Sequence, residues 1–201
     1  HLSLHQFRYQ VDHALTPDEI IAKLCGGDQT KGSCSSLGFA YVGNHVGLDV
    51  TDFRGGESQN FFSMNSNIVA IAKLPNVNSV IETVVDDFKG TNALLKTMTE
   101  SKLYYLATGQ HAAIIRKVAG GYEYLELQSA RNNGFFKLTT DVLKRRFGCK
   151  HSHTRFGTKY ALPNVLIDID SLQGNKEFEQ LLNYLNTATD KQMKGASGYT
   201  K

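Results

Sequence analysis

From Leu103 onward the chain delivers four short segments rich in aromatic and β-branched residues: Leu103–Ala107, His111–Val118, Tyr122–Gln128 and Phe135–Leu138. Glycine-bearing joints separate them. Segments of this length, divided by turn residues, read as consecutive strands of an antiparallel meander. What precedes them has a different period. Thr16-Pro17-Asp18-Glu19 places a capping threonine, a proline at the first helical position and a glutamate at the third. A helix is therefore expected to about Leu24, stopping at Gly26-Gly27. Residues 35–45 carry Leu37, Phe39, Ala40, Tyr41 and Val42 and are apolar nearly all round, the pattern of a central rather than a surface helix. Helices first and a meander after them describe an α+β domain.

The remaining stretches complete that outline. Leu48 to Phe53 alternates briefly before Arg54-Gly55-Gly56 breaks it, while residues 67–74 and 79–88 fit either a helical or an extended period. A helix is expected over 91–98, capped by Thr91 or Asn92, and others over 141–147 and 175–185. Residues 165–169 read as a strand, with Asp168 and Asp170 on its solvated side. The 201 residues are 41% hydrophobic, enough for one sizeable core. They are expected to form one domain over residues 1–190, with a flexible polar tail over 191–201.

Composition removes several functions. A net charge of +3, with no basic run longer than Lys144-Arg145-Arg146, is no nucleic-acid signature. No stretch approaches 18 consecutive apolar residues, so no membrane span is expected. Three cysteines, Cys25, Cys34 and Cys149, give neither a disulfide framework nor zinc-type spacing. The start at His1 leads us to expect a piece of a longer protein or a matured product.

The chemistry concentrates at Cys34. It follows a glycine-marked turn, Lys31-Gly32-Ser33, and opens the apolar helix. Unpaired backbone N–H groups and the positive end of the helix dipole favour thiolate there, which suits a nucleophile. Cys25 ends a helix, where the dipole opposes a thiolate. Cys149, His151 and His153 alternate so tightly that they would make an awkward metal trio without a fourth ligand, and a polar surface loop is expected. His45 lies roughly 16 Å along the helix from Cys34, too far to be its base.

A base is available in Gly109-Gln110-His111. If Gly120-Gly121 forms a two-residue turn, Ala119 pairs with Tyr122, Ala113 faces Gln128 and Ile115 faces Glu126. His111, Glu126 and Gln128 then share one face. A four-residue loop sets His111 directly opposite Gln128, whereas a three-residue loop removes both partners from that face. Cysteine, histidine and a polar third residue make a candidate catalytic triad, with Gln128 as a neutral partner of the imidazole or Glu126 as an anionic one.

In this order Gly32-Ser33-Cys34, Gly109-Gln110-His111 and Glu126-Leu127-Gln128 resemble a papain-fold cysteine hydrolase. More narrowly, they resemble the papain-like toxin domains at the C-termini of polymorphic bacterial toxins and mobile-element proteins. Those domains carry a cysteine opening a helix, a Gly-x-His strand and a strand ending in an acidic-x-Gln motif. They usually have aspartate and proline before the glutamine, where this chain has glutamate and leucine, so the choice between acid and amide as the orienter of His111 stays open. The resemblance implies a papain-like fold with the nucleophile helix on the meander, acyl transfer by Cys34 and His111, and no cofactor or metal. It also implies an oxyanion donor at Gln29, five residues before Cys34. The setting it implies is a domain of a larger bacterial protein, secreted or delivered into a target cell, acting on a protein there and met by an immunity protein. The same cysteine-on-helix and histidine-on-strand core is similar to the cell-wall hydrolases of the NlpC and CHAP kind, which cleave peptidoglycan peptides. A non-enzymatic structural module on a papain scaffold is the third reading.

Overall fold

The computed structural model describes residues 8–9, 14–25, 34–50, 61–129 and 131–182. Its strands are β1 (Arg8–Tyr9), β2 (Leu48–Asp49), β3 (Ser79–Val84), β4 (Leu103–Thr108), β5 (His111–Val118), β6 (Gly121–Glu126), β7 (Gly134–Lys137), β8 (His153–Arg155), β9 (Thr158–Tyr160) and β10 (Leu162–Asp168). The helices among the described residues are α1 (Pro17–Leu24), α2 (Cys34–His45), α3 (Asn65–Ala72), α4 (Asp87–Leu95), α5 (Thr140–Arg145) and α6 (Lys176–Leu181). β4 to β7 form the expected meander. β10 enters between β3 and β4, giving one six-stranded antiparallel sheet in the order β3-β10-β4-β5-β6-β7. Helix and sheet are thus mixed as an α+β fold requires.

Strand alternation divides the core in two. Tyr105, Ala112, Ile114, Leu125, Val165 and Ile167 point to one face and pack with α1, α2, α3 and α6. Tyr104, Leu106, Ala113, Ile115, Tyr124 and Leu166 point to the other, against α4, α5, Phe147 and Cys149. Both faces are covered, so the sheet lies between two helical layers. α2 is buried from Ser35 through Asn44, as its all-round apolar sequence requires. Its Phe39 and Tyr41 have no exposed surface. Each such side chain contributes roughly 1.5–3 kcal/mol by leaving water.

Where propensity was ambiguous, capping and tertiary contacts decide. Residues 79–88 split into β3 and the start of α4. That helix begins at Asp87, not near Thr91, because the Asp86 carboxylate accepts from the N–H groups of Phe88 and Lys89. Thr91, expected at the cap, is instead inside the helix, with its hydroxyl 2.8 Å from that of Thr108. Thr16 and Glu19 do form the reciprocal capping box on α1. Asp168 and Asp170 do not share a solvated strand face. Asp168 is buried, accepts from Lys102 at 2.7 Å and caps a 3-10 turn over Ile169–Leu172, while Asp170 reaches His45 at 2.6 Å.

Candidate active site

Close approach to β4 sets the position of α2. The Ser35 hydroxyl lies 2.7 Å from that of Tyr105 in β4. One turn later Gly38 faces the same ring, and a Cβ added there would stand 2.9 Å from Tyr105 Cε2. Only glycine lets the helix come so near. Cys34 is thereby held as the first residue of α2, over the middle of the sheet.

A second anchored turn positions His111. Gly109, at φ +61°, makes the β4–β5 bend, and an added Cβ would collide with the carbonyl oxygen of Phe147. The Gln110 N–H donates to that same oxygen at 2.7 Å. The His111 ring then meets the Phe147 ring edge-on, with centroids 4.8 Å apart. The loop after α5 thus fixes the imidazole.

The turn between β5 and β6 falls on Ala119-Gly120, one residue earlier than expected, with Val118 paired to Gly121. The ladder runs from there to Ile115↔Tyr124 and stops, although β5 continues to His111 and β6 to Glu126. Carried onward, this register sets Ala113 across from Glu126 and His111 across from Gln128. At the unpaired end lies a small cavity bounded by both faces of the sheet. Cys34 and Gly38 reach it from the α2 side, and His111, Glu126 and Gln128 from the other. Cys34 and His111 also line a cavity of about 510 Å³, together with Ser63, Asn65, Gln110 and Pro163. That size suits a small ligand or a substrate side chain. Cys34 and His111 therefore share two cavities, although no hydrogen bond joins them. Gln29 lies outside the described residues.

Electrostatics correct one expectation. Burial pushes the Cys34 thiol up. The backbone N–H groups of Ala112 and Ser35, and then the charge of Arg146, pull it down without cancelling that rise. The helix start alone does not produce a thiolate. Burial also carries His111 down to about 3, with Arg146 adding to the shift and Glu126 opposing it. The resting pair is thiol and neutral imidazole.

Arg146 is the residue that sequence reasoning passed over. Its Nε donates to Glu126 Oε2 at 2.7 Å, and its Nη2 donates to Glu126 Oε1 at 2.9 Å and to Gln128 Oε1 at 3.3 Å. The Gln128 backbone N–H donates to Glu126 Oε1 at 3.1 Å. Burial pulls the Glu126 carboxyl upward, yet the hydrogen bonds and charge of Arg146 outweigh it and hold it below the usual range. Both candidate orienters of His111 are thus engaged by a guanidinium. A strand-end glutamate that is only 8% exposed needs a cation, which was the available signal. The sequence does not say which cation meets it.

The tract from Cys149 to His153 is irregular and exposed in its middle, as a surface loop is, but both of its ends are buried. Cys149 sits in the core, 3.5 Å from the Thr108 hydroxyl, with its thiol pushed up to about 11 by burial. Buried His153 meets Asp87 Oδ2 at 2.7 Å, while His151 stacks on Phe88 and reaches Asp86 at 3.2 Å. The three side chains diverge. Among the described residues no cluster of His, Cys, Asp and Glu is arranged to hold a metal, and no helix is long and apolar enough to cross a membrane. His45 ends α2, remote from Cys34.

No protein-family model, curated protein or solved structure matches the chain. The site therefore stands on its own geometry.

Proposed function

We propose that this chain is a papain-like, cysteine-dependent acyl-transfer enzyme, with Cys34 as nucleophile and His111 as general base and acid. The observation that carries the reading is the shared boundary of Cys34 and His111 on a substrate-sized cavity, at the start of a buried helix. His111 Nε2 or Nδ1 takes the Cys34 proton as Sγ bonds to a substrate carbonyl carbon. The carbonyl electron pair moves to oxygen, toward the N–H groups at the start of α2. Collapse of this intermediate breaks the C–N bond, and His111 returns its proton to the departing amine or ammonia. Water then hydrolyses the thioester and regenerates the thiol.

The resting state fits general-base catalysis rather than a preformed ion pair. His111 is uncharged and offers a ring lone pair; burial keeps it a weak base until the thiolate forms beside it, and once protonated it is a strong acid toward the leaving nitrogen. A hydrogen bond between thiol and imidazole is expected to form on substrate entry, since catalytic hydrogen bonds in empty sites are often long. On the motifs of Cys34, His111 and Gln128, the substrate is a protein of a target cell, reached by secretion or delivery as part of a larger toxin or effector. A matching immunity protein would cover the cavity.

The test is turnover by wild type and Cys34→Ala on three substrates. Protein fragments released from casein would establish a peptidase, ammonia released without cleavage a deamidase, and muropeptides from purified sacculi a cell-wall hydrolase. Each signal must vanish in Cys34→Ala. Turnover that survives that substitution would sink the reading.

A further inference from the structure

The Glu126–Arg146 pair stands at the end of β6, where Glu126 still pairs with Gly134 of β7 but has no ladder partner on β5. Glu126 borders the smaller of the two cavities that Cys34 and His111 share. Both carboxylate oxygens of Glu126 accept from Arg146, and Gln128 Oε1 accepts from the same Nη2. Three bonds therefore hold the guanidinium in one orientation, as a bidentate pair does best. Glu126 and Gln128 line the small cavity with Cys34 and His111. The next residue after Arg146 is Phe147, whose ring seats His111 and whose carbonyl oxygen anchors the preceding turn. The charge and the base are thus carried on one backbone segment.

We propose that Arg146 is the electrostatic positioning residue of the site: aligned by Glu126 and Gln128, its guanidinium supplies the positive field under which Cys34 passes its proton to His111. The inference rests on the reading of Cys34 as nucleophile. It replaces a triad in which Glu126 or Gln128 holds the imidazole directly. The titratable and charged groups around Cys34 among the described residues are His111 from β5, Glu126 at the end of β6, Tyr105 from β4 and Arg146 after α5. Tyr105 is neutral in the working range, since burial holds its hydroxyl far above its ordinary value. Glu126 is ionised and His111 uncharged, so Arg146 is the one cation among these four. Its charge lowers Cys34 and lowers His111 as well. The field favours anionic sulfur, and later an oxyanion. It also makes His111, once protonated, quick to surrender the proton to the leaving nitrogen. Glu126 moderates the field rather than orienting the ring.

The two assignments give Glu126→Gln opposite signs. If the carboxylate orients His111, its loss slows Cys34. If it moderates Arg146, its loss leaves a stronger cation and Cys34 alkylates at lower pH. The experiment is the rate of iodoacetamide modification of Cys34 against pH, followed by peptide mass spectrometry. Arg146→Met should move the midpoint upward by about one pH unit, Arg146→Lys should restore most of the wild-type profile, and Glu126→Gln should move it downward. Arg146→Met leaves a buried carboxylate alone and is open to misfolding. The double variant Glu126→Gln with Arg146→Met removes both charges, and its midpoint should lie about one unit above that of Glu126→Gln alone. Equal midpoints in those last two proteins, or slowed alkylation in Glu126→Gln, would overturn the role of Arg146. A Cys34 profile indifferent to His111→Ala would instead remove the nucleophile reading beneath it.

Discussion

Two regions of the molecule offer cysteine, histidine and acid side by side, and they differ in what those groups do with their polar atoms. In the Cys149–His153 tract nearly every one is matched inside the protein. Asp87 Oδ2 takes both the His153 ring and the Lys150 N–H, the Asp87 N–H donates to the Lys150 carbonyl, and Thr108 joins Thr91, Asn164 and Cys149. At the α2–β5 site the sulfur and the imidazole instead border a cavity and, among the described residues, bond neither to each other nor to another side chain. A satisfied buried network fixes a fold, whereas reactive groups held in place without a side-chain partner are available to a ligand. Residue type alone separates the two regions poorly; the destination of each hydrogen bond separates them well.

The comparison breaks most readily at the matched network. Asp87→Ala should cost about 3–5 kcal/mol in urea unfolding, because it strips a buried partner from His153 and the Lys150 N–H. The alkylation rate of Cys34 in the folded fraction should not change. A large loss of Cys34 reactivity without loss of stability would reverse the roles assigned to the two regions.

Acid sensitivity is the next lever, and it belongs to the other region. An unfolded His111 takes up a proton below its ordinary value of 6.5, while in the fold burial and Arg146 hold it down to about 3. The contribution is absent as a penalty above pH 6.5, where the ring is neutral in both states. Stability then falls as pH drops from 6.5 toward 3, since the unfolded chain binds the extra proton. Urea midpoints measured across that window should decline less steeply in His111→Gln. An unchanged slope would mean that His111 is not held neutral.

Close-approach glycines compare the two faces directly. Gly38→Ala brings a Cβ to 2.9 Å from the Tyr105 ring, and Gly90→Ala brings one to 2.7 Å from Asn164 Nδ2 on the opposite face. Each should cost roughly 1–3 kcal/mol by overpacking. Only the first displaces α2, so only Gly38→Ala should also slow Cys34 modification. The smallest effect is expected from Ser35→Ala. It removes the 2.7 Å contact to Tyr105 and should lower stability by about 1 kcal/mol in thermal or urea unfolding.

Much of this was legible in the chain. The meander, the capped α1 and the all-round apolar α2 follow from local pattern, because periodicity and capping are short-range properties. The placement of β10 between β3 and β4 is not, since that pairing spans more than fifty residues and competes with no local signal. Likewise the candidate pair Cys34 and His111 could be picked out, as a helix start and a strand start each mark their own sequence. The split in the β5–β6 ladder depended on a turn one residue away from the obvious Gly120-Gly121. Arg146 was hidden because its role is a contact with a residue 20 positions away, while its sequence neighbours read only as a basic patch. The burial that raises the Cys34 thiol is a tertiary fact as well, and it outweighs the helix-start rule that would make it a thiolate.

The most direct measurement is the second-order rate of Cys34 alkylation by a small chloroacetamide at neutral pH, with Cys25 and Cys149 followed as internal references in the same digest. If His111 is the base, His111→Ala should slow Cys34 by about a hundredfold or more while leaving both reference cysteines unchanged. Equal Cys34 rates in wild type and His111→Ala would contradict the account.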